Sequence, residues 1–201
     1  ETGDALFYKD VLDGEGEPTG ERETTADYAA ADRYYSGSAI PDFTGSFRSS
    51  VTYKGFDVSF LLTYGIGGKM IDYTYAGLMH SGDYGTHMHA DILDRWQQPG
   101  DQTDVPRLEN GYDFANRRSD RFLMDKTYLS VQNVNISYTL PRELIAQMGA
   151  GFKSIRIFAQ GDNLFLFNEL QGMNPQESFS GVTDYLYTPA KTFSFGANVK
   201  F

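Results

Sequence analysis

The sequence predicts an all-β fold in which about five antiparallel strands form part of a large transmembrane β-barrel with long outer loops. Three observations carry that expectation. The last eleven residues alternate, with Phe193, Phe195, Ala197, Val199 and Phe201 on one parity and Thr192, Ser194, Gly196, Asn198 and Lys200 on the other, as a strand wet on one side reads. Tyr, Phe and Gly number 14, 15 and 21 in 201 residues, a mixture suited to pleated strands and tight turns. Short and long connections also alternate along the chain, as they do in outer-membrane barrels.

Residues 1–40 carry ten Asp or Glu against Lys9, Arg22 and Arg33, a net charge of −7, while the other 161 residues carry −3. Such a segment is expected as an acidic extracellular loop or surface hairpin, with a turn at Asp13-Gly14-Glu15-Gly16. The turn departs from the EF-hand pattern of alternating oxygen ligands, Gly at the sixth position and Glu at the twelfth.

Residues 41–201 are read as the barrel strands. Phe43, Phe47, Val51 and Tyr53 share one parity, and Thr44, Ser46, Arg48, Ser50 and Thr52 the other. After a turn at Lys54-Gly55, Phe56, Val58, Phe60, Leu62 and Tyr64 face one way and Asp57, Ser59 and Thr63 the other, which makes a hairpin with a very short connection. Aromatic residues bracket both apolar faces. Ten residues at about 3.3 Å each, tilted by about 45°, cover roughly 23 Å, close to the apolar band of such a barrel.

Residues 65–126 lack clear alternation and are expected as an outer loop, with a short helix over Ala90 to Gln98 that carries Trp96 and stops at Pro99-Gly100. A third strand spans Thr127 to Leu140; its apolar parity switches from Leu129 and Val131 to Val134, Ile136 and Tyr138, which predicts a bulge near Gln132-Asn133 or a protruding upper half with different neighbours. Pro141 to Met148 reads as a helical turn. The fourth strand carries Ile155, Ile157, Ala159, Gly161, Phe165 and Phe167, with Asn163 an exception on the apolar parity. A loop over residues 168–190 leads to the last strand. Five strands cannot close a barrel of this type, so the chain is expected to be a fragment.

Other classes are disfavoured. No apolar run approaches the eighteen or so residues a membrane helix needs. A net charge of −10 opposes nucleic-acid binding, which demands clustered Lys and Arg. Zero cysteine removes disulfides and thiolate chemistry. No nucleophile elbow, phosphate loop or Ser-His-Asp spacing occurs, and Asp91 and Asp94 read as solvated positions, so no enzyme activity is expected.

In this order the motifs resemble the SusC/RagA-like TonB-dependent outer-membrane transporters of Bacteroidetes. The resemblance rests on Ala39-Ile-Pro-Asp-Phe43, Tyr53-Lys-Gly-Phe-Asp57, Tyr64-Gly-Ile-Gly-Gly68, Arg95-Trp96 with Val105-Pro-Arg107, Ser119-Asp-Arg121, Asn133-Val-Asn-Ile-Ser-Tyr-Thr-Leu-Pro141, Asp162-Asn-Leu-Phe165 and the terminal Phe201. It implies the C-terminal part of an outer-membrane barrel of about twenty-two strands. It also implies a plug outside this chain, energy from TonB through an N-terminal part, and a SusD-like surface lipoprotein that captures glycans or peptides. Phe201 would then belong to the barrel-assembly signal. No cofactor is implied.

Candidate site residues lie in the long loop. Tyr73, Tyr75, Tyr84 and Trp96 could stack on sugar rings or on a partner, or pack only against one another. His80, His87 and His89, with Asp83 and Asp91 nearby, form a weak candidate for a surface metal site; a solvated or partner-contacting segment is the stronger reading. A soluble, cell-surface carbohydrate-binding β-sandwich is the alternative to a transporter. Thr192, Ser194, Asn198 and Lys200 favour a watery lumen over a buried sheet face.

Overall fold

A computed structural model describes residues 2–82, 84–111, 114–149, 151–170, 173–176, 178, 180–183 and 187–201. The chain divides into two compact units. One comprises Glu1–Gly37, Ile71–Leu123 and Val182–Tyr185; the other comprises Ser38–Met70, Met124–Gly181 and Leu186–Phe201.

The strands in chain order are β1 (Phe7–Leu12), β2 (Pro18–Thr25), β3 (Phe43–Tyr53), β4 (Phe56–Ile66), β5 (Lys69–Asp72), β6 (Leu123–Asp125), β7 (Tyr128–Thr139), β8 (Ser154–Asn168), β9 (Val182–Thr183) and β10 (Thr192–Lys200). Two short helices, α1 (Tyr73–Leu78) and α2 (Arg142–Gln147), lie between them.

In the second unit β10, β8, β7, β4 and β3 form one antiparallel sheet in that order. Its first hairpin turns on Lys54 and Gly55 with φ of 47° and 87°, the left-handed pair a two-residue connection needs to match strand twist. The register then aligns apolar residues across every strand. Val51, Val58, Ile136, Ala159 and Phe195 form one row, and Tyr53, Phe56, Tyr138, Ile157 and Ala197 the next towards the turn. The expected bulge is present. Gln132 is skipped in both ladders, and β8 answers it with Asn163 and Leu164. Asn163 adopts φ 54°, a conformation Asn tolerates better than most residues, and this is why it breaks the apolar parity of its strand.

Nothing among the described residues covers the apolar face of this sheet. Phe47 is 57% exposed, Val51 63% and Phe195 80%. None of the buried apolar side chains among the described residues comes from these five strands. Core packing lies elsewhere: Met70, Leu170 and Met173 cluster with Met124, and α2 buries Ile145. Lys126 is 4% exposed and donates to the carbonyl oxygens of Ser178 at 2.6 Å and Ala39 at 3.4 Å, tying three loop segments together at the start of β7. Burial pushes its ammonium pKa below the usual lysine value, as loss of hydration disfavours the charge.

In the first unit β1 and β2 form an antiparallel hairpin closed by Asp13, whose carboxylate accepts from the backbone N–H of Glu15 and Glu17. Ile71 and Asp72 pair in parallel with Val182 and Thr183. Asp72 caps α1 by accepting from Tyr75 N–H at 2.8 Å. Ala76, Met79 and Phe122 form the core of this unit, with Ile71, Tyr75, Ile92 and Val105 against them. No helix among the described residues is long and apolar enough to cross a membrane, which leaves crossing by strands open.

Candidate functional site

The residues opposite the apolar rows form a hydrogen-bonded polar surface on the same sheet. At one end Thr52 Oγ1 donates to Asp57 Oδ1 at 2.6 Å. Arg156 lies 3.9 Å from Asp57 Oδ2 and donates through Nε and Nη2 to Ser137 Oγ at 3.0 and 2.7 Å. Towards the bulge, Asp162 accepts from Asn133 Nδ2 at 2.6 Å and from Gln160 Nε2 at 3.0 Å, while Asn135 Nδ2 donates to Gln160 Oε1 at 3.4 Å. Gln132 Nε2 donates to Asn163 Oδ1 at 2.6 Å, and Asn163 Nδ2 reaches Ala190 O at 3.2 Å. The bulge thus carries polar partners of its own and fixes the strand before the chain enters β10.

This surface presents amides, carboxylates and guanidinium groups in rows. Such an array hydrogen-bonds water and polar solutes and supplies no nucleophile matched to a base. The sequence reading named Thr192, Ser194, Asn198 and Lys200 for it. Alternation also puts Asp57 on the polar parity of β4 and places Asn133, Asn135, Arg156, Gln160 and Asp162 opposite apolar neighbours; only the cross-strand register reveals that they join.

The loop candidates separate. Tyr75 sits in the core of the first unit, its ring edge-on to His89 at 4.9 Å and to Phe122 at 6.0 Å, with its hydroxyl donating to Asp91 Oδ2 at 2.9 Å. Burial, and then that hydrogen bond and the Asp91 charge, push its pKa up to about 12. Tyr73 is half-buried at the start of α1, with the Arg118 guanidinium 6.0 Å from its ring. Tyr84 stands fully exposed. Trp96 does not lie on a helix: the helical turn is 3-10 and covers only Ala90–Asp94, Arg95 is extended, and Trp96 N–H donates to Val105 O at 2.9 Å. The cross-loop bond replaces the one a helix would have made, and the ring packs against the backbone of Gly3.

The histidines do not converge. His80 contacts Thr86 Oγ1 at 3.0 Å and the His87 backbone carbonyl at 3.3 Å, whereas His89 caps the 3-10 turn by accepting from Asp91 N–H at 3.2 Å. Among the described residues no three His, Asp or Glu side chains gather as a metal site requires; Asp83 lies outside them. Phe201, 72% exposed, packs its ring 5.2 Å from Phe152 at the end of β10.

No protein-family model matches the chain. It is similar to TonB-dependent receptor P3 of Formosa agariphila, 27% identical over 95% of this chain and 20% of that protein, and to TonB-dependent receptor P39 of the same organism, 29% identical over 86% of this chain and 17% of that protein. Among solved structures it superposes on the RagAB peptide importer in its closed-closed state with a TM-score of 0.81, at 24% identity, covering 100% of this chain and 21% of that one. The chain therefore spans about one fifth of the length of these relatives. The resemblance to TonB-dependent transporters holds, and the five-stranded sheet has the fold of a segment of such a barrel. The likeness is to receptors and importers, not to enzymes.

Proposed function

We propose that this chain forms the C-terminal strands of the barrel of a TonB-dependent outer-membrane transporter that imports glycans or peptides together with a SusD-like surface lipoprotein. One observation carries the proposal: five long strands share an uncovered apolar face backed by a polar one. In water such a face would demand a second sheet or a partner. Against lipid it is satisfied as it stands, and the polar face lines an aqueous lumen. The apolar face then contacts outer-membrane lipid, the Lys54-Gly55 turn and the α2 connection face the periplasm, and residues 1–40, 67–126 and 169–190 lie outside.

The exposed Tyr84 and half-buried Tyr73 remain candidates for substrate or lipoprotein contact. Trp96 and Tyr75 would act from packed positions, by shaping the loops. TonB acts through the N-terminal part of the transporter.

The test is uptake by cells. Cells lacking the gene should lose uptake of one labelled pool, oligosaccharide or peptide, and regain it with the full-length gene, with uptake abolished by a protonophore. Uptake of both pools unchanged by the deletion would refute a role in import.

A further inference from the structure

The first unit holds a cavity of about 270 Å³ lined by Phe7, Trp96, Asp104, Phe114, Asp120 and Arg121 among others. It falls just below the roughly 300–1,000 Å³ of drug-sized ligand sites, which suits a single small ring rather than a length of extended chain.

Its walls are fixed before any ligand arrives. Gly3, at φ 71°, lets the Trp96 ring lie against the backbone, where a Cβ would collide with it. Arg107 holds the same segment, its backbone N–H donating to Gly3 O at 2.8 Å and its Nε to Asp4 Oδ1 at 2.8 Å. Tyr28 braces the other two rings, edge-on to Phe7 at 5.0 Å and stacked on Phe114 at 6.5 Å. Rings held in this way offer apolar surface at little entropic cost on binding.

The polar lining carries both signs. Arg121 Nη1 donates to Ala115 O at 3.0 Å, the one hydrogen bond its five donors make among the described residues. Burial draws its pKa below the ordinary arginine value, opposed by Tyr75 and Asp104, as desolvation disfavours the charge. Asp104 is exposed and makes no hydrogen bond or ion pair among the described residues. Asp120 commits only Oδ2, to the Tyr34 hydroxyl at 2.5 Å. Asp4 is already paired with Arg107. A cation entering the cavity therefore meets Arg121, and an anion meets Asp104 and Asp120. A neutral polyol meets neither obstacle. Its hydroxyls donate to the carboxylates and accept from the guanidinium, while the C–H face of a ring rests on the aromatic wall.

We infer that this cavity binds one neutral pyranose of an oligosaccharide, its hydroxyls shared between Arg121, Asp104 and Asp120 and its ring set against Trp96 and Phe114. The inference rests on the import reading above and deepens it, selecting glycan over peptide and a neutral sugar over a charged one.

The intact transporter in nanodiscs is applied to an array of neutral, amino-, uronate-bearing and sulfated oligosaccharides and short peptides, and the ligand retained most strongly is titrated by calorimetry. The wild type should bind a neutral oligosaccharide with the same affinity at about 50 and about 500 mM salt. The first unit carries twenty Asp or Glu against eight Lys or Arg, a net charge of −12, so a cationic ligand would instead lose affinity as salt rises. Asp104→Ala and Arg121→Lys should each weaken binding by about tenfold or more, as the loss of a hydrogen bond to a charged group predicts. Asp104 has no partner to lose, and Arg121→Lys keeps a donor for Ala115 O. Ala5→Phe places a ring in the cavity lining and should abolish binding, with the folded barrel checked by electrophoretic mobility. No neutral oligosaccharide bound, or equal binding by the wild type, Asp104→Ala and Arg121→Lys, overturns the site. Preference for a charged sugar or a peptide overturns the neutral assignment. Oligosaccharide uptake lost on gene deletion without binding at this cavity refutes only this inference, whereas binding with uptake untouched by the deletion refutes only the import reading.

Discussion

Replacing Val134 by Arg sets a guanidinium in the middle of the apolar face. Val134 belongs to the row that contains Phe60, Gly161 and Phe193, the third of six rows between the Tyr53–Phe56 and Phe43–Ile66 pairs. At the midplane of a bilayer, Arg on the lipid face of a barrel costs about 2–4 kcal/mol, falling to about 0–1 near the interfaces. The folding equilibrium in liposomes should therefore drop by roughly 30-fold to nearly 1,000-fold. Ser59 lies on β4 with the opposite parity, opposite Asn135, so Ser59→Arg points into the polar face and should cost less than about 0.5 kcal/mol. Urea unfolding of the intact protein in liposomes, read by electrophoretic mobility of the folded barrel, measures both. Equal costs for the two variants, or a cost below about 1 kcal/mol for Val134→Arg, would refute the two-faced sheet.

Three further outcomes follow from the packing. Tyr75 holds its proton to about pH 12; since the folded state binds the proton more tightly than the unfolded one, stability of the first unit is fully present below about pH 10 and falls as pH rises towards 12. A spectrophotometric titration of wild type against Tyr75→Phe should lack one phenolate ionising near 12, and a difference centred at 10 would contradict the packed position. Lys126→Met removes donors from the Ser178 and Ala39 carbonyls and should lower local stability at the start of β7 by about 1–3 kcal/mol, seen as faster amide exchange at Thr127 and Tyr128; unchanged exchange would show that the carbonyls need no ammonium. Phe201→Asp in the full-length transporter should sharply lower the amount in the outer membrane while Lys200→Ala does not, and wild-type levels for both would remove Phe201 from the assembly signal.

The long strands were legible in the sequence because a period of two is written residue by residue, and even the bulge announced itself through the parity switch at Gln132. Asn163 was visible as an exception but not as the other half of that bulge, since its left-handed backbone is set by the neighbouring strand. The parallel pairing of Ile71 with Val182 was illegible: two residues carry no period, and their partners lie more than a hundred positions away. Trp96 departs from the helix that the pattern over Ala90 to Gln98 suits, because the Val105 carbonyl that captures its N–H is a tertiary feature. Tyr75 and Lys126 show the same limit, since burial in a loop-rich unit leaves no local mark. Exposed aromatics and core aromatics look alike in sequence, and the structure separates Tyr84 from Tyr75.

The two faces of the sheet can be read directly: this chain has no native cysteine to replace, and any cysteine elsewhere in the transporter is first changed to Ser. Single cysteines placed in turn from Asp57 to Thr63 on β4 of the intact transporter in bilayers, each carrying a nitroxide, report accessibility to oxygen and to a water-soluble nickel chelate. Positions 58, 60 and 62 should favour oxygen and positions 57, 59, 61 and 63 the chelate, in strict alternation. Chelate access at 58, 60 and 62, or loss of the alternation, would contradict a lipid-facing apolar surface backed by an aqueous lumen.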